Sequence, residues 1–111
     1  MAYDEDLADR IRALLATDHD VVEKKMFGGL AFLIGGNMSV SASGQGGVLL
    51  RCDPGETDSL VAEPHAARFE MRGRAMDGWL RVEPEGLESD ADLERWVNVG
   101  VGYARSLPPK N

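Results

Sequence analysis

Residues 23–40 decide the fold, and their sequence is Glu23-Lys24-Lys25-Met26-Phe27-Gly28-Gly29-Leu30-Ala31-Phe32-Leu33-Ile34-Gly35-Gly36-Asn37-Met38-Ser39-Val40. Two short apolar runs in this stretch are each closed by a glycine pair. Glycine adopts positive φ without steric cost, as the primed turns of β-hairpins require. The stretch therefore predicts three consecutive antiparallel strands, with tight turns at Gly28-Gly29 and Gly35-Gly36-Asn37.

The same kind of pattern extends to both ends of the chain. Alternating or continuous apolar residues predict strands, and apolar residues at helical spacing predict helices. The segment 72–78 is too long for a two-residue turn, so a loop or an irregular hairpin is expected there. The predicted order is α-β-β-β-β-α-β-β-α: helices at 4–16, 53–63 and 89–107, and strands at 21–27, 30–34, 38–42, 48–52, 67–71 and 79–82. This order predicts a two-layer α+β fold, in which a four-strand antiparallel meander plus two more strands packs against the helices.

Length and composition bound the class of protein. The chain has 111 residues, 43% hydrophobic and 28% charged, which is typical of one globular domain spanning 1–111. No apolar run approaches the roughly 20 residues that a membrane span needs. The first residues are acidic, unlike a signal peptide, so a cytoplasmic location is expected. Cys52 is the single cysteine and is expected to be a buried packing thiol.

The charge is unevenly distributed along the chain. The net charge is −7, and the excess acid lies in the two terminal helical segments, while the centre is nearly balanced. A protein that holds nucleic acid neutralises phosphates with basic residues. Direct nucleic-acid binding is therefore not expected.

The last predicted helix contains two glycines, Gly100 and Gly102. Each costs about 1 kcal/mol relative to Ala in a helix interior. This cost indicates close approach of another backbone, either the sheet or a second subunit. A homodimer, formed through this helix or through an exposed edge strand, is a further expectation.

Four basic residues are the candidate binding site for a ligand or a partner. They lie at predicted strand ends or in the loop before Trp79, and guanidinium groups bind carboxylates and phosphates in bidentate fashion. If these ends converge, they could hold an anionic metabolite or an acidic segment of a partner. The alternative is ordinary ion pairing with Glu23, Glu70 and Asp77. The four residues are Lys25, Arg51, Arg72 and Arg74.

Catalytic and metal chemistry have little support in the sequence. The glycine pairs match neither a P-loop nor a dinucleotide-binding loop. His19 and His65 lie in separate loops without the close ligand spacing of metal sites. No nucleophile elbow or triad motif occurs. We therefore expect no catalytic residue, no metal and no cofactor.

Several motifs, taken in order, resemble the N-terminal domain of the TfoX/Sxy family. The resemblance covers nearly the whole chain, from about Tyr3 onward. The residues that carry it are Met26-Phe27-Gly28-Gly29, Phe32, Gly35, Met38, Leu50-Arg51, Gly73-Arg74-Ala75-Met76-Asp77-Gly78-Trp79 and Ser106-Leu107-Pro108-Pro109-Lys110.

This resemblance implies a fold similar to that of secretion chaperones. Longer family members include regulators of natural competence that act with the cAMP receptor protein, and they carry a second, C-terminal domain. The present chain ends at Asn111, so it is expected to be a stand-alone TfoX-like domain. The expected function is that of a non-catalytic, cytoplasmic bacterial module that binds another protein, with a transcription regulator as one candidate partner.

The alternative is a small-molecule sensor that captures an anionic ligand with Arg51, Arg72 and Arg74. A sensor predicts a concave pocket into which at least two guanidinium groups point. A protein-binding module predicts an exposed apolar patch or an uncovered strand edge.

Overall fold

Three α-helices and a six-stranded sheet make up the residues that the computed structural model describes, which are 3–16, 21–26, 28–44, 46–71 and 73–108. Short 3₁₀ helices, Pro54–Glu56 and Pro84–Leu87, precede the second and third helices. The helices are α1 (Glu5–Leu14), α2 (Thr57–Val61) and α3 (Asp90–Ser106). The strands are β1 (Val21–Met26), β2 (Gly29–Ile34), β3 (Asn37–Ala42), β4 (Val48–Arg51), β5 (Ala66–Met71) and β6 (Arg74–Val82).

The sheet order is β1-β2-β3-β4-β6-β5, and every neighbouring pair is antiparallel. The first four strands form the predicted meander, and the β5–β6 hairpin adds to it through β6. The predicted α+β class and the order of elements are confirmed.

The glycine turns hold the meander together. Gly35 and Gly36 have φ of 59° and 82° and link Ile34 to its cross-strand neighbour Asn37, as predicted. The first turn lies one residue earlier than predicted, because Gly29 already belongs to β2 and lies opposite Met26. Gly28, with φ of 73°, is the turn glycine. Phe27 lies outside the described residues.

Of the two alternatives predicted for residues 72–78, a loop or an irregular hairpin, the structure has the irregular hairpin, and most of the segment is strand. β6 begins at Arg74, and its register against β5 shifts between the pairs Arg68–Leu80 and Phe69–Met76. This bulge includes Gly78, whose φ is 85°. The Gly78 N–H donates to Thr57 Oγ1 at 2.9 Å, so the start of α2 holds the bulge in place. The sequence pattern predicts only the second part of this strand, residues 79–82, because the bulge interrupts the alternation before it.

The main core lies between one face of the sheet and the helices. Its largest fully buried side chains include Trp96 of α3, Phe32 of β2 and Ile11 of α1. The two long helices begin at capping residues: Asp4 accepts the Leu7 N–H, and Ser89 accepts the Asp92 N–H. Such caps contribute about 1 kcal/mol each, and the apolar stripes behind them orient the helices onto the sheet.

Helix α3 lies unusually close to β3. A register shift opposite Phe32 makes Ser39 the extra residue of a bulge, and its Oγ donates to the Phe32 carbonyl oxygen at 2.8 Å. A Cβ added at Gly100 would lie 2.3 Å from the Ser39 carbonyl oxygen. Gly100 therefore meets the sheet, one of the two alternatives predicted for it, whereas a Cβ at Gly102 would meet nothing within 4 Å. All six β3 residues are buried, although the alternation of apolar residues with Ser39 and Ser41 is typical of a strand with one exposed face.

Candidate functional site

The two faces of the sheet differ in what covers them. Side chains alternate between faces along a strand. Leu30, Phe32 and Ile34 of β2 belong to the core that includes α1 and α3, and we call that side the helix face. Ala31 and Leu33 point the other way, into a second apolar cluster to which no described helix contributes. We call this second side the open face.

The centre of the open face is apolar. Ala31, Met38 and Leu49, from β2, β3 and β4, are buried there. Three half-buried residues, Leu33, Phe69 and Trp79, pack against them. Val22, at the β1 margin, is 61% exposed. A sheet that faces water on one side normally carries polar residues there, so the accessible apolar residues around this buried centre, Leu33, Phe69, Trp79 and Val22, are a candidate contact surface.

The charged residues of the strands are sorted between the two faces. Alternation and register place four basic side chains on the open face: Lys24, Arg51, Arg74 and Arg81. The three acidic residues of the described strands, Glu23, Glu70 and Asp77, all lie on the helix face. In a chain of net charge −7, the open face is therefore locally positive. Such a face favours an acidic partner.

Two ion pairs agree with the assignment of Glu23 and Asp77 to the helix face. The Arg12 guanidinium of α1 donates to both Glu23 carboxylate oxygens, at 2.7 and 2.8 Å, and holds the pKa of that carboxyl below its usual range. Arg68 binds Asp77 at 2.8 Å and also Asp58 of α2, and these bonds raise the pKa of its guanidinium. Among the described residues, Glu23 and Asp77 therefore bind Arg12 and Arg68 and form no ion pair with Lys25, Arg51 or Arg74.

Arg51 lies at the end of β4, where an aromatic pair holds it. Its Cζ is 5.0 Å from the Trp79 ring centroid and 5.3 Å from that of Tyr103 in α3. Its Nε is buried and has no hydrogen-bond partner among the residues that the structure describes. The rings attract the cation through their π-faces, a contact worth about 0.5–2 kcal/mol per pair. Alternation assigns Arg51 to the open face, but its guanidinium also contacts a residue of α3 on the helix side, so its charge lies where the two faces meet at the end of β4.

The structure brings only part of the predicted set together. Arg51 and Arg74 share the open face, with Arg74 beyond the end of β4 in the β5–β6 hairpin. Lys25 lies opposite Leu30, hence on the helix face, three strands away from β4. Arg72 lies outside the described residues, as does the side chain of Met26.

Sequence reasoning missed two residues of the site, Lys24 and Arg81. Strand alternation separates Lys24 from Lys25, but it does not show which side the helices cover. Arg81 donates to the Gly46 carbonyl oxygen at 2.9 Å, so it also supports the turn between β3 and β4. Its neighbour across the sheet is Leu49, a residue of the apolar cluster.

Two surface grooves bear on small-ligand binding. One, of about 440 Å³, follows residues 65–70 along the outer edge of β5 and includes Arg68 and Arg81, both of which already bind protein groups. The other, of about 330 Å³, lies between α2 and α3 and includes the carboxylates of Asp53 and Glu56. None of the predicted anion-binding residues that the structure describes lines either groove.

Three further observations concern chemistry and environment. Cys52 is buried, as expected, and burial raises the pKa of its thiol. Within the described part of the chain, no group of three or more His, Cys, Asp or Glu side chains could hold a metal ion. None of the described helices is long and apolar enough to cross a membrane.

Fold and site together define a small α+β domain with a helix layer on one side of its sheet and a basic, apolar face on the other. The sequence model of the TfoX N-terminal domain family matches residues 13–104. The chain therefore belongs to the TfoX N-terminal domain family. No curated protein and no solved structure gave a match.

Proposed function

We propose that this chain is a protein-binding regulatory module whose open face binds an acidic and apolar segment of a partner protein. The observation that carries the proposal is the sorting of strand charges. All four charged side chains assigned to the open face are basic, and they surround an apolar cluster. Complementary charge steers and aligns a partner, while apolar contact supplies binding energy.

A protein partner fits this face better than a small anion does. Arg51 is stacked between two rings, and Arg74 lies farther out in the β5–β6 hairpin. The described arginines that share a groove, Arg68 and Arg81, are bound to protein groups. A broad face with separated charges suits a macromolecule. Nucleic acid is disfavoured because the whole chain carries a net charge of −7.

The proposal includes a role without catalysis, in the cytoplasm of a bacterium. Membership of the TfoX N-terminal domain family supports a regulatory role. A transcription regulator is the partner class that the resemblance to competence regulators favours. The raised pKa of the buried Cys52 thiol keeps it protonated near neutral pH, which argues against a nucleophilic function.

Replacing Lys24 and Arg74 together by Glu is expected to reduce capture of a partner from bacterial lysate at least about tenfold, because two attractive charges become repulsive. Both side chains are exposed, so the fold should be retained. The measurement is quantitative mass spectrometry of proteins retained by the immobilised chain, with nuclease-treated lysate.

The control is Lys25→Glu, which makes the same charge change as the Lys24 half of the double variant, one residue away on the opposite face; Lys24→Glu alone is the variant that matches it. The Lys25→Glu variant should retain the partner. Equal losses in the Lys24→Glu and Lys25→Glu variants, or a wild-type chain that retains nothing, would contradict the proposal. Capture that disappears on nuclease treatment alone would identify nucleic acid as the partner and reject a protein one.

A further inference from the structure

Strand β5 is an edge of the sheet with unused backbone hydrogen-bonding groups. Within the described residues it pairs with β6 alone. The Glu83 N–H donates to the His65 carbonyl oxygen at 2.9 Å, which fixes the direction of the backbone groups. The backbone N–H and C=O of one residue point toward the same neighbouring strand position in the plane of the sheet. The next residue along the strand points its N–H and C=O in the opposite direction. The groups of His65 and Ala67 therefore point toward β6, and those of Arg68 and Glu70 point outward.

The opposite edge is protected in a way that β5 is not. Strand β1 carries the adjacent lysines Lys24 and Lys25, and its one acid, Glu23, is bound by Arg12. Charged edges, lysines above all, prevent edge-to-edge pairing. On β5 the charged residues whose backbone groups point outward are one base and one acid, Arg68 and Glu70. Arg68 also binds Asp77 and Asp58 of its own chain, whereas Glu70 has no ion pair among the described residues, so Glu70 is the charge that a second copy would neutralise by sharing Arg68.

This arrangement is self-complementary. Two β5 strands related by a two-fold axis can pair only in registers that match outward groups with outward groups. An axis through Arg68 places arginine opposite arginine, and an axis through Glu70 places glutamate opposite glutamate. An axis through Phe69 places Arg68 opposite Glu70 of a second copy, twice. An axis through Ala67 places Arg68 opposite Ala66 and forms no charge pair. Opposite charges across a strand pair stabilise it and like charges destabilise it, so the register about Phe69 is favoured over these alternatives.

We propose that two copies of this chain form a homodimer by antiparallel pairing of their β5 strands about a two-fold axis at Phe69. The two sheets become one continuous sheet, and Phe69 meets its symmetry mate in a non-hydrogen-bonded pair, where side chains come closest. Since Phe69 packs against the apolar cluster of the open face, the dimer joins the open faces of both copies. The occupant of the groove along residues 65–70 is then the second copy. This dimer does not depend on the partner proposed above.

Glu70→Arg is expected to weaken self-association at least about tenfold. The pair between Arg68 and residue 70 occurs twice in the symmetric dimer, and the substitution makes both pairs repulsive. The wild-type chain should sediment near twice its mass of 12.0 kDa, and the variant should shift toward 12.0 kDa at the same concentration. The matched control is Glu94→Arg, the same charge change on an exposed position of α3, which should leave the dimer intact.

Hydrogen exchange followed by NMR supplies a second readout that does not depend on a variant. The amides of Arg68 and Glu70 should become protected as concentration rises, whereas the Ala67 amide, bonded to β6, should be protected throughout. A chain that sediments as a monomer with both outward amides unprotected would overturn the proposal. So would a dimer that Glu70→Arg leaves unchanged.

Discussion

Gly29→Ala is expected to destabilise the domain by about 3 kcal/mol or more, at the upper end of overpacking costs. A Cβ at this position would lie 2.1 Å from the Ala42 carbonyl oxygen and 3.2 Å from the Gly44 N. Both contacts are backbone, so β2 and β3 would have to move apart where the meander is closed. For a domain of this size, the midpoint of thermal unfolding should fall by about 12 °C or more.

The matched control is the preceding glycine, Gly28, which serves a different purpose. A Cβ there meets nothing within 4 Å, and the cost of Ala comes only from a φ of 73°. That cost is about 1–2 kcal/mol. The midpoint temperature of thermal unfolding of Gly29→Ala should therefore be well below that of Gly28→Ala. The reverse order would show that turn conformation, rather than strand approach, limits the stability of this region.

Gly100→Ala is expected to destabilise by about 2 kcal/mol or more, even though Ala is the better helix former. The added methyl would lie 2.3 Å from the Ser39 carbonyl oxygen and 3.5 Å from Leu50 Cβ. Helix α3 would have to lift off β3 and β4, and this would open the core around Trp96. Denaturant unfolding, monitored by tryptophan fluorescence, measures the change.

Gly102→Ala should act in the opposite direction and stabilise the domain by about 0.5–1 kcal/mol. The glycine is exposed, lies in the same helix, and has open space where a methyl would go. Opposite signs for two glycines two residues apart would confirm the contact between α3 and the β3 bulge. If both variants were stabilising, α3 would not approach β3 as closely as described.

Local patterns in the sequence were sufficient to predict the architecture. The paired glycines marked the reversals of the meander, and the stripes behind Asp4 and Ser89 marked the two long helices. Errors arose where tertiary contacts decide the structure. The bulge at Gly78 depends on Thr57, which lies 21 residues away in the chain, and no local pattern shows that bond.

The candidate site was predicted only in part, for a related reason. Alternation shows that Lys24 and Lys25 point to opposite faces, but only the packing of α1 and α3 shows which face is covered. The bulge between Met76 and Leu80 decides that Arg74 lies on the open face with Phe69 and Trp79 and not on the helix face with Leu80. The two rings around Arg51 come from different elements, Trp79 of β6 and Tyr103 of α3. Composition shows only that the central part of the chain has a nearly balanced charge. The folded sheet places the acidic side chains of its strands on the helix face and four of the basic ones on the open face.

The most direct test of the open face as the binding surface is site-specific photo-crosslinking in bacterial lysate. A photoreactive amino acid is placed at Val22, which is 61% exposed on the open face, or at Lys25 on the same strand and the opposite face. We predict covalent adducts with a partner protein from position 22 and none from position 25. Adducts from position 25 alone, or equal yields from both positions, would contradict binding through the open face.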